Sequence, residues 1–187
     1  MEPKVLITCE EFEALTMASK VGPFAELVDG EIVDAMGGAI THSRVSGNVY
    51  WIIRSFVSAK KLGWVLTNEA GIHIRSELPR CRLADVAYLS FQRVPKVKDA
   101  RGFLRVPPEL IIEVLAEDDN WADIEEKVRD YHNTGVDMVW VVDPHTRTVR
   151  VYPRGGEPSI VHDGSEIDGG DILPGFKVPV ARFFDEE

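Results

Sequence analysis

Leu83-Ala84-Asp85-Val86-Ala87-Tyr88-Leu89 and Leu110-Ile111-Ile112-Glu113-Val114-Leu115 are two near-continuous apolar runs, each with one acid close to its middle. Runs of this length and composition read as strands buried on both faces. Acids are depleted in strands, and a carboxylate inside such a strand either sheds its charge or meets a cation. One acid of this kind is more often a salt-bridged core residue than a ligand. Two of them, on successive strands and 28 positions apart, point to a shared site.

Outward from these strands, the rest of the chain supplies a sheet and its cover. Thr8 to Met17 reads as a short helix, with Thr8 as cap, Glu11 three residues on, and Phe12 and Leu15 on its apolar side. Phe24 to Ala35 reads as a hairpin turning at Asp29-Gly30. Thr41 to Leu62 has helical apolar spacing through Val45, Val49, Ile52, Ile53, Phe56 and Val57, with Gly63 as the stop. Trp64 to Arg75 is a strand, and Pro95 to Pro108 is a basic, proline-containing loop. Trp121 to Thr134 is a helix ended by Gly135. Asp137 to Val142 and Thr146 to Tyr152 are strands joined by a turn at Asp143-Pro144, and short strands and turns lead to an acidic end. Strands flanked by helices on both sides in sequence give an α/β (α+β) fold, a mixed sheet covered by helices. No linker divides the chain, so residues 1–187 are expected to form one domain.

Composition narrows the function classes. Hydrophobic residues make up 44% of the 187 residues, enough for a packed core. No apolar stretch reaches the length of a membrane helix, and Met1 to Glu10 lacks the pattern of a signal peptide, so a cytoplasmic protein is expected. The net charge of −10 argues against a protein that coats nucleic acid. The charge is uneven: Arg75 to Arg105 holds eight basic and three acidic residues, a window of +5 on a remainder of −15. This segment is either a solvated loop or a patch facing phosphate. Cys9 and Cys81 lack metal-type spacing, as do His73, His132, His145 and His162, and all six are read as structural or surface residues. The tryptophans at 51, 64, 121 and 140 fit apolar patterns and are assigned to packing.

Lys127 completes the chemistry. On its helix, Trp121, Ile124, Val128 and Tyr131 form the apolar stripe, and Lys127 borders it. It can bury its stem and bring its ammonium to the sheet edge; alone, it would read as a surface lysine pairing with Asp123 or Asp130. Two carboxylates can hold Mg²⁺ (or Mn²⁺) through hard oxygen donors. Such a cation polarises a phosphate and acidifies a water, and a lysine offsets the developing charge.

An ordered set of motifs then resembles a known family. It runs Ala25-Glu26-Leu27-Val28-Asp29-Gly30-Glu31-Ile32, His42, Ala84-Asp85-Val86-Ala87, Pro108 to Leu115, Lys127 to Tyr131, and Gly135 to Pro144 with Val139-Trp140-Val141-Val142-Asp143-Pro144. The order and spacing are similar to those of the Uma-two group of restriction-endonuclease-like proteins, bacterial members of the PD-(D/E)XK nuclease superfamily, over roughly Thr8 to Tyr152. The resemblance implies a metal-dependent endonuclease acting on DNA, often as a homodimer. It implies Asp85 and Glu113 as metal ligands, Lys127 as the catalytic lysine, Glu26 as a further site acid and His42 as a recurrent histidine. Two departures stand out. Ala84 replaces the proline that usually precedes the first acid, and Leu115 stands where the superfamily places its lysine, which here moves to the helix. Glu117, Asp118 and Asp119 are read as favouring the positive end of that helix rather than as ligands. Two other readings stay open: a catalytically silent nuclease fold that binds nucleic acid or protein, and a two-carboxylate glycosidase that needs neither lysine nor metal.

Overall fold

The computed structural model describes residues 5–34, 39–95 and 101–186, and of residues 68 and 69 the backbone alone. Helix α1 (Cys9–Met17) opens with a full capping box, in which Thr8 and Glu11 each accept the other's backbone N–H. Strands β1 (Glu26–Val28) and β2 (Glu31–Val33) form the expected hairpin. Asp29 and Gly30 take positive φ angles of 52° and 78°, as a two-residue hairpin turn requires.

Helix α2 (Ile40–Lys60) is followed by the long strands β3 (Gly63–Ile74) and β4 (Arg80–Ser90). Gly63 does not end the helix, as its sequence position suggested. Lys61 takes the left-handed cap conformation instead, and Gly63 already pairs with Ser90, where the Leu89 backbone leaves no room for a Cβ. Strand β5 (Leu110–Val114), helix α3 (Trp121–Thr134) and strand β6 (Met138–Asp143) follow, with β5 and β6 parallel and α3 crossing between them. Gly135 closes α3 at a φ of 111°. Strands β7 (Thr148–Pro153) and β8 (Ser159–His162) extend the sheet, β9 (Glu166–Asp168) and β10 (Lys177–Pro179) form a separate pair, and a 3₁₀ turn spans Val180–Phe184.

The large sheet runs β2-β1-β4-β5-β6-β7-β8, and β3 is added to β4 outside this order. Both faces are covered. Val45, Val49, Ile53 and Val57 of α2 pack with Val86, Tyr88, Ile112 and Trp140 on one. Ile124, Val128 and Tyr131 of α3 pack with Ala87, Ile111, Val139 and Val141 on the other.

One feature of this sheet positions the buried carboxylates. Strand β3 occupies one edge of β4 along nearly its whole length, from Gly63 opposite Ser90 to Ile74 opposite Arg80. Strands β1 and β5 must therefore share the other edge. β1 meets it at Cys81 and β5 at Val86 to Tyr88, which leaves a gap between them at residues 82–85. Across β4 from this gap, β3 carries a bulge between Thr67 and Ala70; bulges commonly re-aim side chains beside functional sites.

Candidate active site

Side chains fill the gap where a strand is missing. The Leu83 N–H donates to Glu26 Oε1 at 2.9 Å. The Val114 N–H, two residues past the last β4–β5 pair, donates to Asp85 Oδ2 at 2.7 Å. Both acids thus take backbone donors that a continuous ladder would have used, which satisfies a buried N–H in each case. By the same antiparallel register Asp85 stands opposite Glu113, so the two project to one face. That face is the one covered by α3.

Lys127 reaches the acids from α3. Its Nζ lies 3.3 Å from Glu26 Oε1 and 3.5 Å from Glu113 Oε2. One turn on, the Tyr131 hydroxyl donates to Glu113 Oε1 at 2.6 Å. His42, in the first turn of α2, places Nε2 at 3.3 Å from Asp85 Oδ2. All five residues singled out in the sequence, Glu26, His42, Asp85, Glu113 and Lys127, therefore meet in one place.

Two further participants were not foreseen. Tyr131 was assigned to the apolar stripe, where its ring does lie; nothing in helical spacing shows where a hydroxyl ends. Arg82, only 6% exposed at its side chain, gives Nη1 to Glu26 at 2.9 Å and Nε to Asp130 at 2.8 Å. Arg80 adds bonds to Asp29, Glu126 and Asp130. The phosphate-facing reading of the basic segment is corrected at these positions. Arg80 and Arg82 turn inward to carboxylates, Arg93 pairs with Glu109 and Asp137, and Arg105 pairs with Glu10 and Glu13. Lys96 and Lys98 lie outside the described residues. The physical reason is the acidic remainder, which supplies carboxylate partners, Glu26 and Asp130 among them buried, before any ligand arrives.

The electrostatics are those of a site with surplus negative charge. Burial pushes the Glu113 carboxyl up to about 8, and the Asp85 and Glu26 charges push the same way against Lys127 and the Tyr131 hydroxyl. Burial also opposes the charge on Glu26, but Lys127, Arg82 and the Leu83 N–H hold its carboxyl below the ordinary range. Burial opposes the Lys127 ammonium as well, yet Glu113, Glu26 and Asp85 hold its pKa well above that of a free lysine.

A pH prediction follows for the metal-free protein. A carboxyl whose folded pKa is raised favours folding while protonated. That contribution is complete below the ordinary value of 4.5 and is lost as pH rises through about 8. The Tm should therefore fall across this window. Glu113→Gln, whose amide stays neutral, should fall less, so that the variant gains on the wild type toward alkaline pH. Thermal melts at a series of pH values check this, and a difference that does not change with pH would show that Glu113 ionises normally.

Beside the carboxylates opens a cleft of about 560 Å³. Ala39, Thr41 and His42 line it from the start of α2, Leu115, Ala116, Glu117 and Asp119 from the segment after β5, Trp121 from the start of α3, and Asp143 to His145 from the turn after β6. It thus lies past the carboxyl ends of two parallel strands, where α/β sheets commonly bind ligands. Ala39 gives α2 no side-chain cap, and the positive end of a helix favours an anion. His42 stands both in this cleft and against Asp85.

The family profile described as "Uma2: Putative restriction endonuclease" matches residues 9–181. The chain belongs to the Uma2 family. The match runs past Tyr152, where the motif-level resemblance stopped, and takes in the C-terminal strands. A solved structure described as a "putative nuclease belonging to DUF820" from Anabaena variabilis superposes with a TM-score of 0.78 at 19% identity, covering 95% of this chain and 97% of that one. At this identity the likeness establishes the fold, a restriction-endonuclease-like mixed sheet flanked by helices. No curated protein matches the chain. Among the described residues, no helix is long and apolar enough to cross a membrane.

Proposed function

We propose that this Uma2 protein is a Mg²⁺- or Mn²⁺-dependent endonuclease that hydrolyses phosphodiester bonds in DNA. The observation that carries the reading is the position of Lys127 Nζ, within 3.5 Å of both Glu26 and Glu113, in the sheet gap that Asp85 also lines. The donor set fits a hard divalent cation: Asp85 and Glu113 offer carboxylate oxygens, and a cation would offset both the burial and the Asp85 and Glu26 charges that hold the Glu113 carboxyl up. Once bound, such an ion supplies phosphate polarisation and a more acidic water.

The remaining work falls to the chain's own groups. Tyr131 fixes one oxygen of Glu113 and leaves the other facing Lys127. Glu26, itself fixed by Arg82 and the Leu83 N–H, holds the lysine in place. The ammonium is then available to orient an attacking water and to offset charge on the phosphate in the transition state. His42 steadies Asp85 from the cleft side. The start of α2, where Ala39 supplies no side-chain cap, presents its positive end to a phosphate of the substrate backbone. In this proposal residues 1–187 act as one nuclease-like domain, in the cytoplasm and as a homodimer, and the assembly supplies basic surface that the inward-turned arginines do not. Sedimentation of the purified chain tests the dimer.

Supercoiled plasmid and single-stranded DNA, titrated with Mg²⁺ and Mn²⁺, test the activity. Metal-dependent nicking is expected, and Lys127→Met should slow it by about a hundredfold or more, the usual cost of losing a placed charge donor. DNA retention without cleavage in either metal would instead favour the silent binding fold, and chelator-resistant action on a sugar substrate would favour the glycosidase.

A further inference from the structure

Cys9, His73 and Cys81 play no part in the site described, and their spacing in sequence gave no hint of a ligand set. Strand register joins them. His73 and Cys81 are direct cross-strand partners on β3 and β4, so their side chains share a face. Cys9 is the first residue of α1, and its Sγ donates to the Arg80 carbonyl at 3.3 Å. The two thiol sulfurs and a ring nitrogen of His73 all lie within 4.8 Å of one another. Neither cysteine is in a disulfide.

We infer that Cys9, His73 and Cys81 form a second metal site, selective for zinc over the hard cations of the carboxylate site. Thiolate and imidazole donors suit Zn²⁺, whereas Mg²⁺ and Mn²⁺ prefer oxygen. Zinc bonds of about 2.3 Å to sulfur and about 2.0 Å to nitrogen put tetrahedral donors roughly 3.5–3.8 Å apart. Closing the cluster onto an ion thus takes shifts of about an ångström or less, within reach of cysteine and histidine rotamers.

The surroundings are arranged as an outer shell. Glu13 lies one helical turn after Cys9 and meets His73 Nε2 at 2.9 Å. A carboxylate on the imidazole is the usual partner of a metal-bound histidine. Glu13 is itself fixed, accepting the Phe103 N–H and pairing with Arg105, each at 2.9 Å. Arg105 Nη1 also stands 3.5 Å from His73 Nδ1; the side chain is 56% exposed, so it can give up this long contact to an ion while its Nη2 keeps Glu13. Two thiolates and a divalent ion make a neutral unit, suited to the small apolar cluster of Phe12, Leu27 and Cys81. Bound there, zinc ties α1 to the β3–β4 hairpin, and three protein donors leave a fourth position for water.

Cobalt(II) added to the full chain, purified metal-free under reducing conditions, tests this. A thiolate-to-cobalt charge-transfer band should saturate at one equivalent and disappear on adding zinc. It should be lost in Cys9→Ser and Cys81→Ser and kept in Asp85→Asn, which separates this site from the carboxylates. Circular dichroism checks each variant's fold. Should Cys81→Ser fail to fold, Cys9→Ser, at a partly exposed position, carries the result. Zinc should also slow the reaction of both thiols with a disulfide reagent by at least about tenfold. No band, a band that survives in Cys9→Ser, or a Cys9–Cys81 disulfide in the reduced preparation overturns the site.

Discussion

Asp85→Asn should abolish metal-dependent DNA cleavage while leaving the fold nearly intact, and Asp85→Ala should lose both. Asp85 Oδ2 accepts the Val114 N–H inside the sheet. An asparagine keeps an oxygen for that bond and removes only the charge; an alanine leaves a buried donor unpaired, at a cost of about 1–3 kcal/mol. The catalytic loss has a different origin. A hard cation is held by anionic oxygens, and a neutral amide beside Glu113, whose carboxyl burial already pushes up, leaves less charge to hold it. Since a bound metal supplies several kcal/mol of transition-state stabilisation, the rate should fall by at least roughly a thousandfold. Plasmid nicking under single-turnover conditions, read beside thermal melts of both variants, separates the two effects. Cleavage by Asp85→Asn at the wild-type rate would remove Asp85 from the chemistry.

Arg82→Ala should be the most destabilising single change near the site. Its guanidinium bonds Glu26 and Asp130, whose side chains are 11% and 8% exposed. Truncation strands buried carboxylates, and breaking such a pair from one side costs about 3–5 kcal/mol. Asp130 keeps Arg80 and Glu26 keeps Lys127, so the lower end of that range is expected. For a chain of this size this corresponds to a Tm lower by roughly 6–12 °C. The pH dependence has a definite sign. Glu26 is held below its ordinary value of 4.5 in part by Arg82, so the stability this pairing gives is present above 4.5 and is lost as pH falls further. The gap between wild type and variant should shrink in acid. A gap that is constant with pH would mean that Arg82 acts through the packing of its stem, and Arg82→Met would then restore most of the stability.

The elements were legible where local chemistry decides them. Thr8 with Glu11, Asp29-Gly30 and Gly135 each fix a turn or an end by their own side chains or backbone freedom, and each stands where the residues indicate. Gly63 misled because glycine serves two purposes; close approach of the Leu89 backbone, a contact 26 positions away in sequence, had the stronger claim. Within the site, Asp85 and Glu113 stood out because a carboxylate in an apolar strand is anomalous on its own. Lys127 could be placed at the sheet because helical periodicity fixes its face. Arg82 and Tyr131 could not be placed. Knowing their partners requires knowing that β1 and β5 share one edge of β4, and that pairing is written in no local pattern. For the same reason the charge count over residues 75–105 could not tell that Arg80 and Arg82 turn inward to carboxylates.

The gap in the edge of β4 also bears on how such a protein could change its trade. Glu26 and Asp85 stand in for missing ladder partners, so any descendant of this fold needs an acceptor at both positions, whether or not it cuts anything. An amide would meet that need. A lineage that gave up cleavage could drift from acid to amide here without unravelling its sheet, and its sequence would record the surrender at two positions while the rest of the barely altered scaffold was free to take up binding.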